Sequence, residues 1–417
     1  MTFGCRVNQA DSLGFDEELR AAGATAAPVE DADLVVVNTC SVTATSDQGA
    51  RQTIRRIARD NPAAKIVVTG CYATRRPDEI AALPNVAQIV CNDDKPRLVP
   101  LVGRVRLQPD RIGDGPCGAA IEPGVAGRTA FTLRVQTGCA EPCSYCIIPS
   151  TRGAPRSVPL ADVLREIDRV TTAGFKEIAL TGVHLGSYGR DLTPRSSLLE
   201  LLCAIERSAS FSGERPPALF RVSSLEPMDC SREIVDLVAA SDGFAPHFHL
   251  PLQHASDRIL AAMRRPYAID YYASLVDDIR ARIPHASIGT DVIVGFPSET
   301  DDDFEQLAAY LERSPLTHVH VFPYSDRPGT PASTMGHRAP GAVVRDRARR
   351  IREIGGKLTE RFRASQIGRT HRALTLEDGS LVVTGNYLKL RIPPGWSRNQ
   401  WVRVVVKTKD SASVETA

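Results

Sequence analysis

VQTGCAEPCSYCIIPSTRG, residues 135–153, places three cysteines directly after a predicted strand. Cys139, Cys143 and Cys146 follow the spacing C-x3-C-x2-C. Three thiolates at such short intervals can bind three corners of one 4Fe-4S cube and leave the fourth iron without a protein ligand. That open iron can bind a substrate. The alternative is a zinc site completed by a distant histidine or cysteine, although paired C-x2-C ligands are the commoner zinc spacing.

The sequence around this stretch alternates between short strands and amphipathic helices. Six strand-like segments follow one another along the chain, FTLRVQ, EIALTG, LFRVSS, HFHLPLQ, SIGTDVIVG and THVHVFPYS. Helical segments such as LADVLREIDRVTTAG and YYASLVDDIRARIP separate several of them. Strands and helices at this spacing predict a partial or full TIM-like α/β barrel over residues 127–363.

A second α/β domain is predicted over residues 1–95. The runs LVVV at 34–37 and IVVT at 66–69 are too short for helices and too apolar for half-exposed strands, so we expect buried parallel strands. Helices are predicted for DSLGFDEELRAAG, SDQGARQTIRRIARDNP and RRPDEIAALPN. This βαβ pattern is typical of flavodoxin-like or Rossmann-like folds.

Two further regions differ from these domains in composition. Residues 96–126 are rich in glycine and proline, which predicts an ordered linker. Residues 364–417 contain alternating β-type runs around the turns EDG and TGN, which predict a small all-β barrel.

Three more cysteines occupy equivalent places in the N-terminal domain. Cys5 follows MTF, Cys40 follows LVVVNT and Cys71 follows IVVTG, so each stands just beyond the carboxyl end of a predicted parallel strand. In an open α/β sheet those ends share one edge, where ligands bind. The set therefore predicts a second iron-sulfur site, whereas each cysteine alone would be interpreted as a small buried hydrophobe. Cys91 and Cys203 are not part of either set.

Composition indicates a globular protein without a membrane segment. The chain has 417 residues, 42% hydrophobic and 24% charged, and its length predicts two or three domains. No apolar run reaches the roughly 18 residues of a spanning helix, so we expect a cytoplasmic location. Residues 338–372 hold 11 Lys or Arg against 3 Asp or Glu, which predicts either a phosphate-binding surface or a solvated helix face.

The motifs of the chain resemble those of one family. In chain order they are GCRVNQADS, NTCSVTATSDQGARQTIRR, TGCYA, GCAEPCSYCIIPSTRG, LTGVHLGSYG, RVSSLEP, HLPLQHASDRILAAMRR, TDVIVGFPSETDDDF and FPYSDRPGTPA. Together they are similar to the radical S-adenosylmethionine methylthiotransferases along nearly the whole chain. NTCSVT, RQTIRR and VQTGC are most similar to the branch that modifies N6-threonylcarbamoyladenosine at position 37 of tRNA.

This resemblance implies that the two cysteine sets hold two 4Fe-4S clusters with different tasks. The auxiliary cluster, which carries or supplies sulfur, would be held by Cys5, Cys40 and Cys71. The cluster that generates the radical would be held by Cys139, Cys143 and Cys146.

The resemblance also implies contacts to S-adenosylmethionine. Tyr145 matches the aromatic position that lies near the adenine in the superfamily. Gly182 lies in LTGVHLG, at the place of the glycine-rich strand end near the amino group of S-adenosylmethionine. Glu226 and Gln253, at later strand ends, are candidates for cofactor or substrate contacts.

The implied reaction consumes two molecules of S-adenosylmethionine per turnover. One would be the methyl donor for a sulfur attached to the auxiliary cluster, and the second would be the source of the radical. The methylthio group would then be transferred to carbon 2 of the adenine. The implied partners are the tRNA anticodon loop, an electron donor protein of the flavodoxin or ferredoxin type, and a sulfur donor. The C-terminal β region would be the family's TRAM domain, an RNA-binding barrel.

Two alternatives and one departure from the family stay open at this point. The first alternative is that the chain is an enzyme of the same family that acts on isopentenyladenosine in tRNA or on an aspartate of a ribosomal protein. The second alternative is a non-catalytic, metal-containing RNA-binding protein that uses the cysteines structurally. Family members usually have a longer first strand before the cysteine that matches Cys5, whereas here only four residues precede it, so we expect the true start to lie upstream.

Overall fold

The computed structural model describes residues 1–102, 123, 129–208 and 218–415. Most of the linker predicted for residues 96–126 lies outside these described residues. The chain forms two compact units. Unit 1 comprises Met1–Ile121, Thr132–Arg156 and Ser325–Ser333, and unit 2 comprises Glu122–Phe131, Ser157–Tyr324 and Thr334–Ala417. Both predicted cysteine sets fall in unit 1.

The N-terminal part of unit 1 is built on a parallel sheet. Its strands are β1 (Leu34–Thr39), β2 (Lys65–Gly70) and β3 (Val86–Val90), in that order, and β1 and β2 confirm the two predicted buried strands. β3 was not predicted, because Gln88 interrupts its apolar run and most of the strand is only half-buried. The predicted strand MTF does not form a full strand. In its place the structure has one parallel bridge between Thr2 and Asn38.

Helices cover this sheet. The helices of unit 1 are α1 (Arg6–Ala21), α2 (Ala44–Asp60), α3 (Cys71–Arg75), α4 (Pro77–Ala81), α5 (Leu98–Val102) and α6 (Ile148–Arg152). Ile54 and Ile57 of α2 pack against Ile66 and Val68 of β2 in one apolar core. The single helix predicted for RRPDEIAALPN is wrong at its start, since α3 ends before Pro77 and a residue that precedes proline disfavours helical backbone.

The middle of the chain carries the six predicted strands with helices between them. The strands from residue 131 to 323 are β4 (Phe131–Arg134), β5 (Gln136–Thr137), β6 (Arg156–Ser157), β7 (Glu177–Thr181), β8 (Leu219–Val222), β9 (His247–His249), β10 (Ser287–Val294) and β11 (His318–Pro323). β7 pairs with β8 in parallel, and β10 pairs in parallel with both β9 and β11. A parallel bridge between Phe220 and Phe244 connects β8 to the segment before β9. This α/β arrangement confirms the predicted class.

The helices of unit 2 present apolar faces to these strands. They are α7 (Leu160–Thr172), α8 (Leu198–Glu206), α9 (Arg232–Ala240), α10 (Asp257–Ala262), α11 (Ile269–Arg282), α12 (Asp301–Arg313) and α13 (Gly341–Ser365). Capping boxes begin α8 at Ser197 and α12 at Thr300. No helix among the described residues is long and apolar enough to cross a membrane.

An antiparallel sheet ends the chain and confirms the predicted all-β region. Its strands are β12 (Thr370–Leu376), β13 (Leu381–Thr384), β14 (Lys389–Arg391), β15 (Trp401–Val406) and β16 (Ala412–Val414), in the order β14-β13-β12-β15-β16. Alternate residues of β15 are buried, as expected for a sheet with one face on a core. A parallel bridge between Arg391 and Ser411 joins the region of the two edge strands.

Part of the basic stretch at 338–372 is neutralised by the protein itself. Arg347 is buried and bonds Glu299 at 2.7 Å and Asp301 at 2.6 Å. Arg349 pairs with Glu353, Arg350 with Glu305 and Arg363 with Asp410. For this part of α13 the ion pairs favour a solvated helix face over a continuous phosphate-binding surface.

Candidate functional site

The structure brings Cys5, Cys40 and Cys71 to one edge of the N-terminal sheet. Cys40 directly follows β1, Cys71 is the first residue of α3 directly after β2, and Cys5 precedes α1 in extended backbone. Two glycines permit this close approach. A Cβ at Gly4 would lie 2.5 Å from the Cys40 Sγ, and a Cβ at Gly70 would lie 2.1 Å from the Thr39 carbonyl oxygen.

The three thiols are close enough to influence one another electrostatically. Cys40 and Cys71 are buried, while Cys5 is exposed. Burial raises the pKa of the Cys40 thiol to about 11, and the negative charge of Cys5 and Cys71 adds to that rise. Three adjacent thiolates are unfavourable without a cation to share, so this group fits a metal centre better than it fits three free cysteines.

N–H groups approach the cysteine sulfurs of both sets. The Val42 backbone N–H donates to the Cys40 Sγ at 3.5 Å, and the Asn92 side-chain amide donates to the Cys71 Sγ at 3.7 Å. The Glu141 backbone N–H donates to the Cys139 Sγ at 3.4 Å. Such hydrogen bonds stabilise thiolates and help set the potential of iron-sulfur clusters, so the donor environment also fits cluster ligation.

Arg152 connects the second cysteine segment to the first cysteine set. It is the last residue of α6, its side chain is only 3% exposed, and it donates to the Asn8 Oδ1 at 2.5 Å. Burial alone would lower the pKa of Arg152, but the negative charges of Cys71, Asp11 and Cys5 outweigh that and raise it. A buried guanidinium is therefore permanently charged beside the thiols of Cys5 and Cys71.

Asp11 balances the buried positive charge in this region. Its carboxylate accepts from the Lys95 Nζ at 2.6 Å and from the Arg134 Nη1 at 2.5 Å, and it lies 3.6 Å from Arg152. Burial raises the pKa of Asp11, but these three cations outweigh burial and hold the pKa below its usual value. Lys95 also donates to the neutral amide oxygens of Asn8, at 3.5 Å, and Asn38, at 3.1 Å.

Asp11→Ala is expected to destabilise the full chain by about 3–5 kcal/mol, because the variant leaves the buried Lys95 ammonium without its carboxylate. Asp16→Ala on the same helix is the matched control. Asp16 pairs with Arg20 at the surface, so its loss is expected to cost less than about 0.5 kcal/mol. Urea denaturation followed by circular dichroism measures both. Equal losses in the two variants would contradict this account of the network.

The second cysteine segment forms a compact loop between β5 and α6. The Cys139 N–H donates to the Gly153 carbonyl at 3.1 Å, which ties the start of the loop to its end, and the Cys146 N–H donates to the Cys143 carbonyl at 3.2 Å. Gly138 has a φ of +76°, and a Cβ there would lie 1.9 Å from the Ala154 carbonyl oxygen. All three cysteines are partly exposed, so the loop presents them toward a ligand.

The spacing of the cysteines differs from that of a single-ion site. Four thiolates around one zinc, each at about 2.3 Å, would lie within about 4 Å of one another. In the described part of the chain, three ligand atoms come within 4.8 Å of one another only at His249, Asp291 and His320. Neither cysteine set is arranged for one zinc ion, whereas a cube spreads its ligands over separate irons.

The other predicted contact residues lie in unit 2 except Tyr145. Gly182 directly follows β7, and the Glu226 carboxylate bonds the buried Arg265 guanidinium. Gln253 lies beyond the carboxyl end of β9, and its backbone has a φ of +68° although it is not glycine. Backbone bonds to Asp291 and Ile293, at 2.9 and 2.8 Å, hold that unfavourable conformation, and strained residues of this kind concentrate at functional sites. Tyr145 lies in the cysteine loop of unit 1.

An imidazole-carboxylate cluster on β9, β10 and β11 was not predicted. The Asp291 Oδ1 lies 3.1 Å from both the His249 Nε2 and the His320 Nδ1, and the His249 Nδ1 lies 2.8 Å from the Ser224 Oγ. Gly289 makes room for the cluster, since a Cβ there would lie 2.0 Å from the His318 Nε2. Alternating histidines in HFH and HVH were the available signal, because alternate strand residues share a face.

Asp291 controls the protonation of His320. Its hydrogen bond raises the pKa of His320, while burial and the neighbouring imidazoles lower the pKa of His318 to about 4. The stabilising charge pair is therefore complete below the ordinary histidine pKa and is lost as the pH rises through the raised pKa of His320. Between about pH 4 and the raised pKa of His320, the charged imidazole of His320 lies beside the neutral imidazole of His318.

Asp291→Asn is expected to lower the pKa of His320, because the amide removes the negative charge and leaves burial as the remaining influence. An NMR titration of the histidine ring protons in both proteins measures this change. His318→Asn removes the His318 resonance and so distinguishes it from the resonance of His320. An unchanged titration midpoint for His320 in Asp291→Asn would contradict the role given to the carboxylate.

A second buried charge cluster in unit 1 involves the segment YSDRPGTPA. Asp47 of α2 accepts from Arg75 at 2.5 Å and from Arg327 at 2.8 Å, and Ser41 donates to Asp47 at 2.8 Å. The Ala44 N–H donates to the Ser325 Oγ at 3.0 Å. These contacts attach residues 325–333 to the loop that follows Cys40, which sequence spacing alone did not reveal.

Two family models match the chain. Residues 1–92 match the family described as Uncharacterized protein family UPF0004, and residues 133–311 match the Radical SAM superfamily. The first range contains Cys5, Cys40 and Cys71, and the second contains the cysteine loop.

Relatives match over nearly the full length. The chain is 35% identical over 413 residues to the threonylcarbamoyladenosine tRNA methylthiotransferase MtaB of Aquifex aeolicus, covering 97% of this chain and 98% of the relative. It is 33% identical over 388 residues to the tRNA-2-methylthio-N(6)-dimethylallyladenosine synthase of Streptomyces avermitilis, covering 90% of this chain and 75% of the relative.

One solved structure supports the fold. The radical S-adenosylmethionine methyltransferase TsrM from Kitasatospora setae, with cobalamin and a 4Fe-4S cluster bound, superimposes with a TM-score of 0.54 at 19% identity. The match covers 72% of this chain and 66% of that chain. The superposition supports the α/β fold of this chain, and the radical SAM assignment comes from the family match to residues 133–311.

Proposed function

The chain belongs to the radical S-adenosylmethionine methylthiotransferases, and we propose that it inserts a methylthio group at carbon 2 of N6-threonylcarbamoyladenosine at position 37 of tRNA. One observation carries this proposal. Two separate three-cysteine groups occur in one compact unit, one at the edge of a parallel sheet and one in a loop with the C-x3-C-x2-C spacing. The acceptor is inferred from the name of the Aquifex relative, which this chain matches over almost its whole length.

Each cysteine group fits a 4Fe-4S cluster. Cys5, Cys40 and Cys71 would hold the auxiliary cluster, and the radical-generating cluster would be held by Cys139, Cys143 and Cys146. When bound, the two clusters and S-adenosylmethionine would supply the radical that removes the hydrogen from carbon 2 and the methylthio group that takes its place. The protein keeps three thiols together, and the pKa of Cys40 is raised mainly by burial and further by the negative charge of Cys5 and Cys71.

The remaining residues position and balance these groups. The permanent charge of Arg152 stabilises negative charge on the auxiliary side, while Asp11 and Asn8 hold the guanidinium in place. Tyr145, Gly182, Glu226 and Gln253 would contact S-adenosylmethionine or the substrate.

The finer assignments follow from the same proposal. Residues 1–95 would form a flavodoxin-like or Rossmann-like domain, 96–126 a linker, 127–363 a partial or full TIM-like barrel and 364–417 a TRAM barrel. The substrate would be the tRNA anticodon loop, in the cytoplasm. Reduction needs an electron donor protein of the flavodoxin or ferredoxin type, and replacement of the transferred sulfur needs a sulfur donor.

Matched anticodon stem-loops test the acceptor. The reconstituted enzyme is incubated anaerobically with S-adenosylmethionine, a reductant, a sulfide source and a stem-loop that carries either threonylcarbamoyladenosine or dimethylallyladenosine at position 37. We expect the 2-methylthio product from the first substrate only, measured by mass spectrometry of the nucleosides. Product from the dimethylallyladenosine stem-loop alone would contradict threonylcarbamoyladenosine as the acceptor. Product from neither stem-loop would contradict the proposed methylthiotransferase function.

The dimethylallyladenosine acceptor is the second candidate. It is favoured by the Streptomyces relative, whose identity to this chain is 33%. We place this acceptor second because the chain covers 75% of the Streptomyces relative but 98% of the Aquifex relative.

A further inference from the structure

Two groups of buried charges lie beside the cysteines proposed for the auxiliary cluster. The first group is next to Cys5 and Cys71, and the second is next to the loop that follows Cys40. All of their members belong to unit 1. The Asp11 group consists of Asp11, Lys95, Arg134 and Arg152, and the Asp47 group consists of Asp47, Arg75 and Arg327.

The Asp11 group holds more positive than negative buried charge. Its one carboxylate is shared by Lys95 and Arg152, whose side chains are 5% and 3% exposed, and by the more exposed Arg134. One negative charge cannot neutralise two buried cations. Because a buried charge without a counter-charge is unfavourable, this group favours further negative charge nearby.

Arg152 presents part of this excess charge to a proposed cluster ligand. Its guanidinium hydrogen-bonds the Cys71 sulfur. Burial lowers the pKa of Arg152, and the largest opposing influence is the negative charge of Cys71, ahead of that of Asp11. The Asn92 amide donates to the same sulfur at 3.7 Å and to the Thr151 carbonyl at 2.7 Å. The position of Arg152 relative to Cys71 is therefore held by a second contact through the neighbouring residue.

The Asp47 group is arranged in the same way near Cys40. Its carboxylate accepts from Arg75 at 2.5 Å and from Arg327 at 2.8 Å, and these two side chains are 12% and 3% exposed. Arg327 also donates to the Val42 carbonyl at 3.3 Å, and the Val42 N–H donates to the Cys40 Sγ at 3.5 Å. Excess positive charge is therefore buried next to a second proposed ligand.

Buried positive charge of this kind affects the reduction potential of an iron-sulfur cluster. Reduction adds one negative charge to the cluster, so nearby cations stabilise the reduced form, and hydrogen bonds to ligand sulfurs do the same. We propose that Arg152 and Arg327 raise the reduction potential of the auxiliary cluster. Both act through the cluster rather than on the substrate and are therefore positioning residues. This role rests on the proposed function, since it requires an auxiliary cluster on Cys5, Cys40 and Cys71.

A redox titration followed by electron paramagnetic resonance measures the potential. It is performed on the reconstituted full chain carrying Cys143→Ala, in which the auxiliary cluster is the one expected to remain. Arg152→Met and Arg327→Met in this protein are each expected to shift the midpoint potential to a more negative value. The shift should be larger for Arg152→Met, because that substitution also removes the hydrogen bond to Cys71.

Both variants are expected to fold, because each carboxylate keeps another cation. Asp11 keeps Lys95 at 2.6 Å, and Asp47 keeps Arg75 at 2.5 Å. Circular dichroism and iron content verify the fold and the cluster. Arg152→Lys separates charge from shape, since it retains the positive charge. Its midpoint potential should be closer to that of the parent protein than the midpoint potential of Arg152→Met.

Arg20→Met is the matched control. Arg20 is an exposed arginine of unit 1 that pairs with Asp16 at the surface, so its loss should leave the midpoint potential unchanged. Unchanged potentials in both Arg152→Met and Arg327→Met, with iron retained, would overturn the role proposed for the two arginines but not the proposed function. A Cys143→Ala protein that holds no cluster would contradict the auxiliary site itself.

Discussion

Cys143→Ala is expected to abolish the reductive cleavage of S-adenosylmethionine while the proposed auxiliary cluster remains. Cys143 is the middle cysteine of the loop, and its replacement leaves two thiolates for a cube that requires three from the protein. The thiols proposed for the auxiliary cluster directly follow β1 and β2 or precede α1, so their positions do not depend on this side chain. The expected result is background formation of 5′-deoxyadenosine, with about four of eight irons retained per chain.

Cys203→Ala is the matched control for this variant. Cys203 lies on α8, is partly exposed and belongs to neither cysteine group. It should retain full cleavage and the full iron content. Chromatography of 5′-deoxyadenosine together with iron and sulfide analysis measures both variants. Cleavage at the level of the unmodified protein in Cys143→Ala would remove the radical-generating role from this loop.

Cys40→Ala has the second largest expected effect and the opposite pattern. We expect cleavage of S-adenosylmethionine to persist and no methylthio product to form, because the proposed auxiliary cluster loses one of its two buried ligands. Cys40 is 3% exposed and packs closely against Gly4. Product mass spectrometry and 5′-deoxyadenosine quantification are performed on the same reactions.

Cys91 provides a stringent control for this prediction. It directly follows β3, so it occupies the same topological place on the next strand of the sheet. The pKa of Cys91 is raised by burial and by Asp94 and Asp93, not by the other thiols. Cys91→Ala should therefore form product normally. Product formation by Cys40→Ala, or its loss in Cys91→Ala, would contradict the assignment of the auxiliary ligands.

The sequence predicted the parts of the fold that depend on local patterns. β1 and β2 are short apolar runs, and the cysteines that follow them reach one edge because parallel strands have the same direction. β3 was missed because Gln88 breaks its apolar run at the edge of the sheet. The predicted helix began two residues too early, at Arg75, because Pro77 was included in the helix instead of being taken as its first residue.

The electrostatic surroundings of the site could not be predicted. Arg152 was visible in the motif STRG, but its partner Asn8 lies 144 residues away. Asp11 and Lys95 are separated by 84 residues, and nothing local distinguishes them from surface charges. The cluster at Asp291 depends on the register between β10 and β11, which pairs Asp291 with His320. The alternating histidines indicate only that His318 and His320 share a face of their strand, whereas their partners follow from tertiary packing.

The nucleosides of total tRNA test the central claim most directly. Cells that lack this protein are compared with the same cells carrying it, and with cells carrying Cys143→Ala, by mass spectrometry of digested tRNA. We expect the 2-methylthio form of N6-threonylcarbamoyladenosine only in cells with the intact protein, with the unmodified precursor accumulating in the other two. An unchanged level of that nucleoside in cells lacking the protein would contradict the proposed reaction.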